Sequence, residues 1–166
     1  MKKKTDAITT LGVAKELPEH PVYFTEISIL ETLKIPSQKP DIEQVLSIIV
    51  EPEIISMRIA DTICAKSYEG QLLSGKKLIM ELKLKEKVVY VADETTQPAH
   101  AAHYEDVLRS VFVIVPKAID NIPIERLLKS NKIIVYPYIE DIYVEQKDNR
   151  TIFKNITMLI DVIVSC

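Results

Sequence analysis

The residues best suited to chemistry are two histidines, His100 and His103, with Glu105 close behind them. Two imidazoles at this spacing bind zinc when they share one face of a helix. The sequence offers no third ligand motif, no glutamate between the histidines and no cysteine pair. On a strand, residues three apart point to opposite faces of the sheet. The pattern therefore predicts surface or cross-strand histidines, with no metal and no other cofactor.

Other catalytic patterns are missing from the sequence. Nucleophilic catalysis needs a serine or cysteine beside a positioned base, usually on a sharp turn, and no serine has such a setting. Acidic residues such as Glu51, Glu53, Asp93 and Glu94 fall at the ends of expected strands, where a solvated turn explains them. With 3 glycines in the whole chain, a glycine-rich phosphate loop is excluded. We expect a protein that is not an enzyme.

The two cysteines, Cys64 and Cys166, are too few and too far apart for a disulfide framework or a metal site. Cys64 lies in strand-like sequence, which predicts a small buried hydrophobic side chain. Cys166 is the last residue. It is expected to be an exposed free thiol or, in an oxidising setting, half of a disulfide between chains.

The composition is that of an ordinary globular domain. Of 166 residues, 47% are hydrophobic and 27% are charged, and the net charge is -3, which excludes wholesale disorder and gives no indication of nucleic-acid binding. The lysines between Lys83 and Lys87 alternate with other residues, as on a solvated strand face. No apolar run suits a signal peptide or a membrane-spanning helix. We expect synthesis in the cytoplasm and no membrane insertion.

Strand patterns dominate the chain after Pro21. Apolar and polar residues alternate from 53 to 66 and again from 78 to 85, as in half-buried strands. The Lys85-Glu86 junction is expected to be a bend or hairpin corner. The apolar run from Val111 to Val115, which ends at Pro116, is typical of a strand buried on both faces.

The C-terminal part predicts a short helical turn at 124–129 and strands at 133–138, 142–146 and 151–164. In the last strand, Lys154 shares one face with Ile152, Ile156 and the apolar residues that follow. The whole pattern predicts about eight or nine mostly antiparallel strands in an all-β sandwich or partly open barrel. Residues 1–20 predict a flexible N-terminal arm and residues 21–166 a single β domain.

Four segments carry a resemblance to a known family. They are Ile35 to Leu46 (IPSQKPDIEQVL), Leu73 to Ile79 (LSGKKLI), Val88 to Asp93 (VVYVAD) and the His100 to His103 element before Val111 to Pro116. In this order they resemble the SPOCS domain, found in spore coat morphogenetic proteins of endospore-forming Firmicutes. The likeness covers roughly residues 33–116. Family members are longer and commonly end in a peptidoglycan-binding LysM module, whereas this sequence stops after its last strand.

The resemblance implies a β-rich interaction domain without catalysis, acting in the mother cell during sporulation and coat assembly. The leading hypothesis is a structural subunit of the spore coat or spore surface that is made in the mother-cell cytoplasm. It would bind copies of itself or other coat proteins, self-assembling through sheet edges and the N-terminal arm. The weakly indicated contact positions are Tyr90, His100, His103 and Tyr104, with Cys166 for a disulfide between chains.

Two other functions remain open at this point. The first is a monomeric adaptor that docks on a coat-basement ATPase, the partner class that the resemblance implies. The second, more remote, is a ligand-binding or metal-dependent β-sandwich that uses His100 and His103.

Overall fold

The computed structural model describes residues 7–96 and 98–166 and has an all-β, sandwich-like fold, as predicted. The strands are β1 (Thr9–Leu11), β2 (Tyr23–Lys34), β3 (Ile42–Asp61), β4 (Lys76–Ala92), β5 (Ala99–Val115), β6 (Ala118–Ile119), β7 (Ile122–Pro123), β8 (Ile133–Gln146) and β9 (Thr151–Val164), and the one helix in this part of the chain is α1 (Ile124–Lys129). The position of α1 and the bounds of β9 confirm the sequence prediction.

Two larger sheets enclose the core. One has four strands in the order β1-β3-β4-β5 and the other has three in the order β2-β9-β8, while β6 and β7 form a small ribbon. Neighbouring strands are antiparallel, except that β1 is parallel to β3. In β4, every second residue from Leu78 to Ala92 is buried. This period of two is what a strand requires when one face packs on a core.

The segment around Glu86 corrects the predicted corner, because β4 continues through it without a turn. The irregularity lies in the neighbouring strand β5, where Glu105 and Asp106 together stand opposite Lys85 as a β-bulge. A charged pair in a strand pattern suggested a turn, but Glu86 stays in the strand on its core-facing side. Its partner there comes from the other sheet.

The apolar run in β5 is also corrected. Val111, Val113 and Val115 are buried, but Phe112 between them is 48% exposed. No layer covers the outer face of this sheet among the described residues, so the run is buried on one side only. Cys64 is exposed as well, contrary to prediction, because it lies in the loop between β3 and β4. The two predicted strands 133–138 and 142–146 are one strand, β8, with a bulge at Glu140.

The described part of the predicted arm is tied to the domain. Its residues Thr9–Leu11 form β1 and pair with Ser47–Ile49 of β3, and the Ala14 N–H donates to the Ile139 carbonyl of β8 at 2.8 Å. Gly12 lies between these contacts and has a backbone φ angle of 118°. A Cβ atom at this position would lie 2.1 Å from the Val50 carbonyl oxygen. The prediction of a flexible arm is therefore wrong for this stretch. The first six residues lie outside the described part.

Candidate functional site

Three of the predicted contact residues lie on the inward face of β4 and β5, at the end where β2 meets β3. Tyr90 is completely buried, and its hydroxyl donates to the Pro40 carbonyl at 3.0 Å. The Tyr104 hydroxyl donates to the Lys34 carbonyl at 2.8 Å. Both rings hold the connection between β2 and β3. Tyr90 is thus not the surface residue that the sequence predicted, because its even position in β4 points into the core.

His100 packs on this end from β5. Its ring stacks on Tyr90 with centroids 5.8 Å apart, and its Nε2 lies 2.7 Å from Glu94 Oε1. Burial raises the pKa of Tyr104 to about 12 and also raises the pKa of Tyr90. These neutral phenols and the stacked imidazole form a structural cluster. They do not converge on an open cleft.

His103 and Cys166 lie elsewhere. His103 is exposed on the opposite face of β5, across from Lys87, so the two histidines point in opposite directions. No group of three or more possible metal ligands occurs in residues 7–96 and 98–166. Cys166 is exposed, and a hydrogen bond with Asp120 raises the pKa of its thiol. A raised pKa disfavours the thiolate that disulfide exchange requires.

A guanidinium that no sequence pattern indicated organises the same end. Arg150, in the turn before β9, donates to the Ile35 carbonyl at 3.1 Å and to the Pro36 carbonyl at 2.8 Å. It also binds the Asp41 carboxylate. The planar fork of an arginine suits several acceptors at once. The segment from Ile35 to Asp41, which connects β2 to β3, is therefore held by Arg150 and Tyr90 together.

The most unusual chemistry lies inside the sandwich, where four charged side chains cross from sheet to sheet. Lys154 of β9 is fully buried and contacts the equally buried Glu86 of β4. Its Nζ also lies 2.9 Å from Glu31 Oε2 of β2. Arg109 of β5 binds the other oxygen, Oε1, of Glu31. We call Glu86, Lys154, Glu31 and Arg109 the quartet; Arg109 is its partly exposed end.

The surroundings of the quartet are apolar. Leu84 and Val88 flank Glu86 along β4, and Ile152 and Ile156 flank Lys154 along β9, all of them buried. Burial raises the pKa of Glu86, while the adjacent Lys154 acts in the opposite direction. Glu86 Oε2 and Glu31 Oε2 have no hydrogen-bond partner among the described residues. The core thus holds a lysine in contact with two carboxylates, one of them fully buried.

The sequence carried a partial signal for this site. It placed Lys154 on the apolar face of the last strand, but Glu86 was expected in a corner and on a polar face, and the structure places it on the core face of β4. No family model, curated protein or solved structure matches this chain. The chemistry of the quartet therefore follows from its own geometry.

In the described part of the chain, no helix is both long enough and apolar enough to cross a membrane.

A second feature is the outer face of the three-stranded sheet, which we call the aromatic face. Its exposed large side chains come from all three strands: Phe24 and Leu30 of β2, Ile163 of β9, and Ile134, Tyr136 and Tyr143 of β8. Ile134 and Ile163 are direct cross-strand neighbours. Exposed apolar side chains grouped on one sheet face are typical of a contact surface.

Acidic side chains lie among these aromatics. Asp161 stands between Phe24 and Tyr136 in the strand register and is only 4% exposed, and its burial raises its pKa. Glu140 has a raised pKa because of burial and because Glu26 lies beside it. Burial keeps the Asp161 carboxylate poorly solvated. A cationic partner would restore the interactions that water does not supply.

The outer face of the four-stranded sheet differs in character, and we call it the lysine face. Its central strand β4 presents Lys77, Lys83, Lys85 and Lys87 outward, with one glutamate, Glu81, among them. Lys85 pairs with Glu53 at 2.9 Å and Lys77 lies over the Phe112 ring. Glutamates of β3 offset part of this charge. The two outer faces of one molecule thus differ in charge and in aromatic content.

Proposed function

We propose that this chain is a structural subunit that works by binding other protein chains, with copies of itself as the first partner. The aromatic face is the observation that supports this function best. It groups six exposed large hydrophobic side chains on one three-stranded sheet. Three of the six, Phe24, Tyr136 and Tyr143, are aromatic, and aromatic side chains are enriched at protein interfaces.

The proposed contact joins the aromatic face of one copy to the lysine face of the next. Two aromatic faces would bring Glu26, Asp141 and Glu145 of both copies together, and like charges oppose that contact. Lysines of β4 instead offer partners to these carboxylates. A contact between two different faces is heterologous, so it continues from copy to copy unless the rotation closes a ring. This is the geometry that a layer or filament requires.

The sheet edges are less suited to assembly than the faces. The free edge of β5 carries the bulge at Glu105 and Asp106, followed by Arg109, and charges and bulges on an edge oppose strand addition. Thr9–Leu11 of the arm already pairs with β3 of the same chain. A role of the arm as a donated strand would require it to leave that site.

The setting that we propose is the spore coat or spore surface, and the support for it is the resemblance of residues 33–116 to the SPOCS domain. In that setting the protein is made in the mother cell and accumulates on the developing spore. A fluorescent fusion expressed during sporulation of an endospore-forming bacterium tests this. A ring around the developing spore supports the coat setting, and a diffuse mother-cell signal contradicts it.

The contact itself is tested by measuring the mass of the purified protein across concentrations by light scattering, with electron microscopy of any large fraction. The decisive variant is Tyr136→Lys, which places a charge on the aromatic face. Its matched control is Tyr68→Lys in the loop between β3 and β4, because Tyr68 is fully exposed and lies off both faces. We expect wild type and Tyr68→Lys to assemble and Tyr136→Lys to remain monomeric.

The other outcomes distinguish the alternatives. A wild-type protein that stays monomeric at every concentration contradicts self-assembly and favours the adaptor function, in which a coat ATPase is the partner. Assembly that survives Tyr136→Lys removes the aromatic face from the mechanism. Assembly that is lost under reducing conditions assigns the contact to a disulfide, and its loss in Cys166→Ser but not in Cys64→Ser assigns that disulfide to Cys166.

A further inference from the structure

The quartet places an amine and a carboxyl group in direct contact inside an apolar core. Lys154 Nζ contacts Glu86 Oε1, and both side chains have no exposed surface. Lysine and glutamate are almost never fully buried unless they are paired. The pair also joins the two sheets, because Glu86 lies on β4 and Lys154 on β9.

A second carboxylate completes the arrangement. Glu31 Oε2 lies 2.9 Å from Lys154 Nζ as an ion pair, although the angle of this contact is not that of a hydrogen bond. Arg109 occupies the other oxygen of Glu31, so Oε2 is the oxygen that faces the lysine. The site thus holds a nucleophile, an acyl group and a proton acceptor within contact distance.

We propose that Lys154 and Glu86 become joined by an intramolecular isopeptide bond, with Glu31 carrying the protons. The product is an amide between Lys154 Nζ and Glu86 Cδ. It is a covalent link between the two sheets of the sandwich. It needs no oxidant, metal or other co-reactant, because the only other product is water.

The reaction starts with a proton transfer inside the pair. A lysine attacks only as the neutral amine, and an apolar environment favours the neutral forms of both partners over the charged ones. The proton of the Lys154 ammonium moves to Glu86, which becomes a carboxylic acid. The raised pKa of Glu86 favours this direction.

The bond then forms in two steps. The Nζ lone pair attacks Glu86 Cδ, and the carbonyl π electrons move to oxygen. Glu31 Oε2 accepts a proton from the nitrogen and delivers it to the departing hydroxyl, acting as base and then as acid. The C–O bond breaks and water leaves. In sum, one ammonium and one carboxylate give one amide and one water, and Glu31 is unchanged.

Loss of charge favours the product. The amide replaces two buried ions with one neutral group, which removes the desolvation penalty that the ion pair carries in an apolar core. Lys85 and Glu53 provide the internal comparison. Their atoms lie 2.9 Å apart on the lysine face, with both side chains more than two fifths exposed, so water solvates their charges and no amide is expected.

Intact-mass spectrometry of the denatured wild-type protein tests the proposal directly. We expect a mass lower than that of the sequence by one water. Protease digestion should then yield one branched peptide that contains both Lys154 and Glu86. A wild-type mass equal to that of the sequence, after prolonged incubation of the folded protein, overturns the proposal without any variant.

Three variants establish the chemistry, and Lys85→Met is their control. Lys154→Met should show the full mass of its sequence, and Glu31→Gln should slow the loss of water at least tenfold. Glu86→Gln should lose ammonia in place of water, because the amide nitrogen becomes the leaving group. Lys85→Met should lose water as the wild type does. A water loss that persists in Lys154→Met places the modification elsewhere and overturns the assignment.

Discussion

The two long sides of the sandwich are closed in different ways. On the side of β3 and β8, backbone hydrogen bonds of the N-terminal segment link the two sheets. There β1 pairs with β3, and the Ala14 N–H donates to the Ile139 carbonyl of β8. On the side of β2 and β5, side chains close the gap. Arg109 binds Glu31, and Tyr104 bonds to the Lys34 carbonyl.

The two sides are therefore stabilised by different interactions, which we call the backbone closure and the side-chain closure. The backbone closure depends on one residue with an unusual conformation, Gly12, and on local pairing. The side-chain closure is continuous with the core, because Glu31 contacts both the half-exposed Arg109 and the buried Lys154. A defect on the first side should stay local. A defect in the quartet should affect both sheets at once.

The largest effect is expected for Lys154→Met when it is compared with freshly folded wild-type protein of full sequence mass, in which the amide has not formed, because the variant leaves Glu86 and Glu31 buried without their cation. Breaking a buried ion pair in this way costs about 3–5 kcal/mol. Urea denaturation measures it. Lys85→Met, which breaks only the exposed pair with Glu53, should cost less than about 1 kcal/mol.

A double variant sharpens that result. When Glu86→Leu accompanies Lys154→Met, no lone charge remains on β4, and apolar replacements of whole pairs are often neutral. Relative to the same wild-type protein without the amide, we expect the double variant to regain most of the lost free energy of unfolding. Equal losses in the single and double variants would show that the two charges are not coupled.

The next largest effect is expected for Gly12→Ala, which tests the backbone closure on the side of β3 and β8. The new Cβ would lie 2.1 Å from the Val50 carbonyl oxygen, and φ is 118. We expect the free energy of unfolding to fall by about 2 kcal/mol, with faster hydrogen exchange confined to β1 and its neighbours on β3.

Gly70→Ala is the control for Gly12→Ala. Gly70 has φ 91 but only a lysine side chain within 4 Å, so backbone strain alone, about 1 kcal/mol, should remain. Exchange that quickens throughout both sheets would contradict a local closure.

Arg109→Ala should have a smaller effect. It removes the exposed end of the quartet but leaves Lys154 in place, and losing a hydrogen bond to a charged group costs about 1–2 kcal/mol. Arg58→Ala, on an exposed position of β3, is the matched control and should change little. Thermal unfolding of the two variants compares them. If they unfold alike, the ion pair with Glu31 contributes nothing to closure.

The smallest effect at neutral pH, but a distinct one, concerns Tyr104. Its folded pKa of about 12 lies above the ordinary 10.0, so the folded state holds the phenol proton more tightly than the unfolded state does. Its contribution to stability is complete below pH 10 and is lost as the pH rises through 12. Stability measured from pH 9 upward should therefore fall less steeply in Tyr104→Phe than in wild type. Parallel curves would show that the phenol remains solvated.

The sequence predicted the elements better than their junctions. Alternation along β4 and β9 is a local property, so the strand type and the core faces could be read from it. Glu86 interrupts that pattern, and its explanation is Lys154, a residue 68 positions away. From the neighbouring residues alone, such a charge indicates a turn, because the partner that neutralises it is distant in the sequence.

The prediction of the candidate site failed for the same reason, because it also depended on pairings between distant segments. Tyr90, His100 and Tyr104 were selected as surface residues, yet the first is buried and all three face inward. Which face of β5 points inward depends on its pairing with β4, including the bulge. Gly12 carried a usable signal, since a lone glycine between short apolar segments often marks a special backbone conformation. The parallel pairing of β1 with β3 had no local signal.

The loop between β3 and β4 offers a place to divide the molecule. It spans 62–75, its side chains Ile63, Tyr68 and Leu72 are largely exposed, and exposed loops tolerate cleavage and insertion. A break there would leave β1 to β3 in one fragment and β4 to β9 in the other. The two fragments would share the long β3–β4 ladder, so their reassociation would work as a split reporter for this fold inside a cell.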